Sequence, residues 1–382
     1  MRQLFSQLDR IGDRVFKRSY GWTGVEIGCH AIHMAQVRRI DHAWQLAAVW
    51  SVEHPTHYSM KSTEGASDGD ETFGWLTSES ICDKGLAPTL EYLRSLNALF
   101  KGNNCAATLN DGMIDYREME LPQCDPSESL AMVHSEIALE SECEMDELIA
   151  GCWQLPNNRP RATTTSLGAA SVKRSTALLI ANDLLAAGFE CRTLDAVPCA
   201  MARATAMVID DQQVATLAVD LGYKQSTITL VQNGQPILSR GIRNLGLLPL
   251  VEQIATSFEI TLSDSQTLLF QATAGRSAPT DGLDQFTNPL QQVLNQYMHL
   301  LAMEIDKTIE YANRAYRTIT PSQLLLMGDG CRIPSVQQEL ASRVGLLTKS
   351  WSINLSRNLF GEQQIASFAI AAGLSSLAWE AV

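Results

Sequence analysis

Residues 218–234 read AVDLGYKQSTITLVQNG. An apolar run reaches Asp220, breaks at Gly222-Tyr223 and resumes through Ile228, Leu230 and Val231 to an Asn-Gly pair. Two strands joined by a tight turn account for that pattern, with Asn233-Gly234 as a hairpin turn into a third strand, QPILSRGI (235–242). A plain hairpin does not explain its first tip, which carries a carboxylate, a glycine, Tyr223, Lys224 and Gln225, then hydroxyls at Ser226, Thr227 and Thr229. Backbone N–H groups beside a residue with no side chain can close on an anion, so the tip is a candidate phosphate seat with the hydroxyls as further donors.

The same opening occurs near the start. In GVEIGCHAIHMAQV (24–37), Val25-Glu26-Ile27-Gly28-Cys29-His30 matches Val219-Asp220-Leu221-Gly222-Tyr223-Lys224, and WQLAAVWSVEHP (44–55) supplies a third strand. A duplicated strand–turn–strand unit narrows the fold more than either copy alone. Two such tips facing each other would grip a polyphosphate from both sides. Glu26 and Asp220 would each hold Mg²⁺ through water, since Mg²⁺ keeps most of its hydration shell. A third element is Met327-Gly328-Asp329-Gly330, between an apolar strand and a helix, where glycines let a flat ring or a phosphate lie against the backbone.

The chain has 382 residues, 45% of them hydrophobic and 19% charged, enough for two ordinary domains with cores of their own. A net charge of −13 disfavours nonspecific binding to nucleic acid. Nine cysteines without CxxC spacing suggest reduced thiols in the cytoplasm, and no window reaches the length of a membrane span. Residues 1–20 place Leu4, Phe5, Leu8, Ile11, Val15 and Phe16 on one helical face among arginines and lysines, a basic amphipathic helix whose partner is its own domain or a membrane. Polar stretches at 56–84, 157–166 and 273–284 read as loops, and 362–381 reads as one apolar closing helix. A metal reading of Cys29, His30 and His33 fails because two histidines three apart on a strand face opposite sides. A Cys–His nucleophile lacks an oxyanion partner.

The order of these elements resembles the actin-like ATPase superfamily: phosphate hairpin, connecting helix, second phosphate hairpin, adenosine turn, closing helix. Within it the chain looks most like the branch that holds PilM, of type IV pilus assembly, and FtsA, of cell division. The resemblance runs from about Trp22 to the C-terminus and is carried by GVEIGCHAIHMAQV, YREMELP, AVDLGYKQSTITLVQNGQPILSRGIRNLG, LAMEIDKTIEYANRAY, LLLMGDGCRIPSV and FAIAAGLSSLAWE. It implies an α/β, ribonuclease H-like duplicated fold in two lobes. The first-lobe core would be 21–118, completed by 189–212, with an insertion subdomain at 119–188. The second-lobe core would be 213–250, completed by 320–382, with a further subdomain at 251–319.

It also implies ATP with Mg²⁺ in the cleft. Gly28, Cys29, His30 and His33 match the first phosphate hairpin, and Gly222, Tyr223, Lys224 and Gln225 the second. Gly328, Asp329 and Gly330 match the adenosine turn, Glu304 and Lys307 the helix facing the adenosine, and Glu26 and Asp220 the catalytic, Mg²⁺-holding carboxylates. Three positions depart from the branch: Glu26 replaces an aspartate, His33, mostly neutral near pH 7, replaces a lysine, and GDG replaces consecutive glycines. Slow or absent hydrolysis is expected. The implied role is to bind, in an insertion-subdomain groove, the N-terminal tail of an inner-membrane PilN-like protein, peripheral to that membrane. Two other readings stay open: a nucleotide-free GspL-like scaffold of type II secretion, and a small-molecule kinase of the superfamily. Homo-oligomerisation and membrane contact stay open too.

Overall fold

The computed structural model describes residues 20–41, 43–53, 86, 89–109, 113–155, 164–271, 284–316, 319–355 and 362–380. The amphipathic helix read in residues 1–20 lies outside them except for Tyr20, as do nearly all of the three loops.

Two sheets of the same topology carry the molecule. The first is built from β1 (Thr23–Ile27), β2 (Ala31–Ile40), β3 (Ala43–Glu53), β4 (Asn104–Leu109) and β8 (Glu190–Leu194), in the order β3-β2-β1-β4-β8. The second uses β9 (Thr216–Leu221), β10 (Ser226–Gln232), β11 (Gln235–Ile242), β12 (Gln323–Met327) and β13 (Leu347–Ser350), in the order β11-β10-β9-β12-β13. In each, the first three strands form an antiparallel meander and the last two join in parallel. β1 and β9 are central, and every residue of both is buried, which explains why they read as near-continuous apolar runs. The Asn233-Gly234 turn has φ of 53° and 69°, the left-handed pair a two-residue hairpin requires. This is the duplicated two-lobed α/β fold expected from the sequence.

Helix α1 (Leu90–Leu96) precedes β4, and α2 (Pro126–Glu140) lies in the insertion. Asp125 caps α2 by accepting from the N–H groups of Ser127 and Glu128, with Pro126 in the first turn. β5 (Asp115–Pro122), β6 (Leu148–Gln154) and β7 (Thr164–Lys173) form a separate antiparallel sheet, β5-β7-β6, whose own core joins Met119, Leu121, Val133, Ile137 and Leu167. The separate sheet therefore runs from 115 to 173. Helix α3 (Arg174–Ala186), expected inside the insertion, instead buries Ile180 and Leu184 in the first lobe with Leu93 and Phe189.

The closing segments also differ from expectation. β14 (Asn354–Leu355) pairs with β3 of the first sheet. The single helix expected over 362–381 is a series of turns: α-helical at Glu362–Ile365, 3-10 at Ala366–Phe368, α-helical at Ala369–Ser375 and 3-10 at Ser376–Trp379. The Ala369–Ser375 helix packs on β1, β2 and β4, so the end of the chain belongs to the first lobe and not, as its sequence position suggests, to the second. Conversely α4 (Val197–Val208), which follows β8, packs on β9, β10 and β11. The two crossing helices meet where side chains are smallest. A Cβ on Gly24 would lie 1.8 Å from the Ala371 carbonyl oxygen, and one on Gly373 would lie 2.1 Å from that of Ala200. Between the lobes, Trp351 is fully buried and donates Nε1–H to the Ala204 carbonyl at 2.7 Å.

The second lobe carries α5 (Leu247–Phe258), α6 (Leu262–Gln271), the long α7 (Asp284–Ala315) and α8 (Val336–Val344). α7 begins ahead of Pro289, which lies near its start.

Candidate functional site

Both hairpin tips point into the space between the lobes, and the turn after β12 joins them. One cavity is lined by Glu26, Gly28, His30, Ala31 and His33 from the first lobe, by Asp220, Gly222, Tyr223, Gly328 and Asp329 from the second, and by Ser367. Three sequence motifs, the first and last about 300 residues apart, thus meet. Ala31 and Ser367 were not anticipated; the only signal for Ser367 is one hydroxyl inside the apolar run IASFAIAAG (365–373).

Register sets the side chains. Glu26 pairs with His33 across β1–β2, and Asp220 with Thr227 across β9–β10, so each carboxylate shares a face with its cross-strand neighbour. His30 is not on β2 but in the turn before it, so it lines the same cavity as His33 instead of facing away. Its ring stacks on that of Tyr223, centroids 4.0 Å apart and planes 9° from parallel. His33 Nε2 lies 3.1 Å from Asp329 Oδ2, and Phe368 meets its ring edge-on.

Asp329 thus turns inward to a partner rather than to solvent. Burial pushes the His33 imidazole down, but the Asp329 charge and hydrogen bond outweigh it, and with Glu26 and Asp220 they raise it to about 9. His33 is a cation near pH 7, against the neutral state expected from its type. Burial pushes the Asp329 carboxyl up, and the His33 charge and hydrogen bond, aided by Ser367 and His30, overcome this and hold it well below the usual carboxylate range. His30 goes the other way: burial lowers it, despite Glu53 and Asp329, and His33 and Arg332 add to the lowering. One histidine is charged and paired, the other neutral and stacked.

Other expected residues lie elsewhere. Cys29 is buried in the apolar core of the second lobe, close to Tyr223. Lys224 is exposed, and Gln225 packs toward Gly241; neither lines the cavity. Gly330 is buried against Leu221. Glu304 binds Arg240 of β11 and, at 2.6 Å, Lys307; both stand on α7 outside the cavity lining. The hydroxyls have protein partners: Ser226 donates to the Leu245 carbonyl, and Thr229 pairs with Ser239 at 2.9 Å. Among the described residues no group of three His, Cys, Asp or Glu is placed to hold a metal ion.

Against solved structures, the chain aligns with one from the PilM–PilN type IV pilus biogenesis complex at a TM-score of 0.70 and 17% identity, covering 94% of this chain and 98% of that one. The chain has the actin-like ATPase fold. Weaker likenesses include the ethanolamine utilization protein EutJ of Carboxydothermus hydrogenoformans (TM-score 0.49, 13% identity, 98% of each chain). Another is the activator of 2-hydroxyisocaproyl-CoA dehydratase of Clostridium difficile with bound ADPNP (TM-score 0.46, 10% identity, 94% and 95%). No family model matches the sequence, and no curated protein does.

An actin-like fold implies ATP and Mg²⁺ in this cleft, and the residues present do not fit that pair in this arrangement. The cavity measures about 20 Å³, room for about one water. Two of the glycine N–H groups expected to cradle a phosphate are engaged by protein, Gly28 donating to the Ala31 carbonyl at 3.0 Å and Gly328 to the Ala366 carbonyl at 3.0 Å; a Cβ on Gly328, at φ +87°, would lie 2.2 Å from Asp220 Oδ1, and one on Gly222 would lie 2.6 Å from the Gln225 carbonyl oxygen. The lining holds three carboxylates, and its one charged cation, His33, is already engaged by Asp329.

Proposed function

We propose that the chain is a PilM-like assembly scaffold of a pilus or related secretion apparatus, which holds the N-terminal tail of an inner-membrane, PilN-like partner and works without nucleotide turnover. A groove at the joint between the insertion sheet and the first lobe carries this reading. It measures about 850 Å³ and is lined by Met113, Leu148, Val172 and Leu178 with Asp115, Glu142, Asp146 and Glu147, against Lys173 and Arg174. An apolar floor under a rim of net negative charge suits an extended peptide with apolar side chains and a basic residue. Similarity of fold to a chain of the PilM–PilN type IV pilus biogenesis complex, over nearly the whole of both chains, supports the same reading. Among the described residues no helix is long and apolar enough to cross a membrane.

The test is calorimetric titration of the full chain with a synthetic peptide of such a tail. Leu178 lines the groove and is 54% exposed, so Leu178→Glu leaves the fold intact and is expected to weaken binding at least about tenfold. Leu185→Glu, on the same helix at 59% exposure and outside the groove lining, is expected to bind as the unmodified chain does. Adding ATP with Mg²⁺ is expected to change neither affinity. Equal binding by both variants and the unmodified chain overturns the groove. A large gain of affinity with ATP restores the nucleotide, with Glu26 and Asp220 as its Mg²⁺-facing groups.

A further inference from the structure

Where this fold would place a ligand between its lobes, side chains of the chain itself meet. The contacts come in pairs, and each pair has one member from each lobe. His30, in the turn after β1, stacks on Tyr223, in the turn after β9. His33, on β2, bonds to Asp329, in the turn after β12. Beside them Cys29 extends the first tip into the second lobe's apolar core. The groups facing this cluster are Glu26 of β1, Glu53 of β3, Asp220 of β9, Arg332 after the glycine turn, and Phe368 and Ser367 of the closing segment.

We propose that the His30–Tyr223 stack and the His33–Asp329 hydrogen bond form an interlobe latch that holds the cleft shut in place of a nucleotide. An actin-like cleft closed by a ligand has a closure that depends on ligand concentration. A cleft closed by its own residues has one fixed at synthesis, so the lobe carrying the partner groove keeps its orientation whatever the nucleotide level. The geometry favours this over accidental packing. A stacked ring pair and a buried charge-assisted hydrogen bond are directional, both span the lobes, and the hydrogen bond joins His33 and Asp329, two of the residues that depart from the nucleotide-binding pattern of the sequence. The inference rests on the poor fit of the cleft to a nucleotide and is independent of the partner groove.

Hydrogen–deuterium exchange on the full chain tests it with no peptide present, so its failure is distinct from failure of the tail-binding reading. Three segments are read: 24–36, 220–228 and 327–333. In the unmodified chain, millimolar ATP with Mg²⁺ is expected to leave all three unchanged. Tyr223→Ala, in the second lobe, is expected to raise exchange in 24–36 of the first by about tenfold, and Asp329→Asn to do the same, because each removes one half of a contact across the cleft. Should Tyr223→Ala fail to fold, His30→Ser in the turn serves instead, with the rise expected in 220–228. The latch is overturned if each substitution loosens only its own lobe. It is also overturned if ATP with Mg²⁺ protects these segments in the unmodified chain, since a cleft that nucleotide tightens is not already held.

Discussion

The hairpins β1–β2 and β9–β10 share one topology and one register but solve the same position differently. Opposite Asp220 stands Thr227; at the equivalent place opposite Glu26 stands His33. In the second lobe a small hydroxyl needs nothing from across the cleft. In the first, a buried imidazolium requires an anion, and Asp329 of the other lobe supplies it. Duplication fixed the backbone of both hairpins, while the side chain opposite the carboxylate decides whether a lobe stands alone or is tied to its neighbour. The largest test is therefore to remove the anion. Asp329→Ala leaves His33 buried beside two other carboxylates but without its hydrogen bond. It is expected to cost about 3 kcal/mol in urea unfolding near pH 6, the lower end for a broken buried pair because the imidazole can shed its proton. Adding His33→Leu should recover part of that loss, and a double variant as unstable as the sum of its singles would mean the two residues do not interact.

Next comes the strand behind each tip. Gly24 on β1 and Ala218 on β9 are equivalent, and the closing helix presses its Ala371 carbonyl against the first. Gly24→Ala must move the Ala371 carbonyl and is expected to cost about 2–3 kcal/mol. Ala218→Gly loses one buried methyl and gains chain entropy in the unfolded state, expected to cost about 1 kcal/mol. Reversal of that order in thermal unfolding would show that the crossing of the closing helix does not depend on the missing methyl.

Such pairs also show what could be read from the chain alone. The two meanders and the Asn-Gly turn are written in local pattern: alternation, acidic-x-Gly and repeat; the meeting of both tips with the glycine turn follows only from the order of elements and the resemblance it carries. What stayed hidden depends on tertiary placement. Gly24 and Gly373 look like ordinary small residues, and nothing near them in sequence says that the closing helix will press on a strand at the first and cross another helix at the second. Gly222 and Gly328 read as ligand cradles because a glycine that admits a phosphate and one that admits a neighbouring backbone or carboxylate look alike in sequence. His30 falls in the GCHA turn, where a strand's alternation does not apply, so its stacking on Tyr223 has no signal in a period of two. The protonation of His33 follows from Asp329, a residue 296 positions away.

The two histidines extend the comparison to pH, with opposite signs. His33 has a folded value raised from 6.5 to about 9, so the folded chain holds the extra proton between those values; its stabilisation is fully present below 6.5 and is lost as pH rises toward 9. His30 is lowered from 6.5, so it costs stability as pH falls below that value. Asp329, depressed, changes only in strong acid. Together they place a stability maximum near pH 6.5 in urea midpoints from pH 5 to 9.5. Asp329→Asn should flatten the alkaline limb and leave the acid one, while a limb that persists belongs to other groups.

The smallest effect is expected at the quiet counterpart. Thr227→Val keeps the shape beside Asp220 and removes one hydroxyl from a strand whose neighbours Ser226 and Thr229 bond within their own lobe. A cost of no more than about 1 kcal/mol is expected, with no change of slope against pH, because no titrating group crosses the cleft from this position. The informative quantity is the contrast with His33→Val. If both substitutions cost the same and both leave the alkaline limb intact, the two hairpins are equivalent and His33 is an ordinary buried side chain. If only His33→Val removes the limb and loosens the opposite lobe, the difference between an otherwise duplicated pair of strands lies in one imidazole and the carboxylate it reaches.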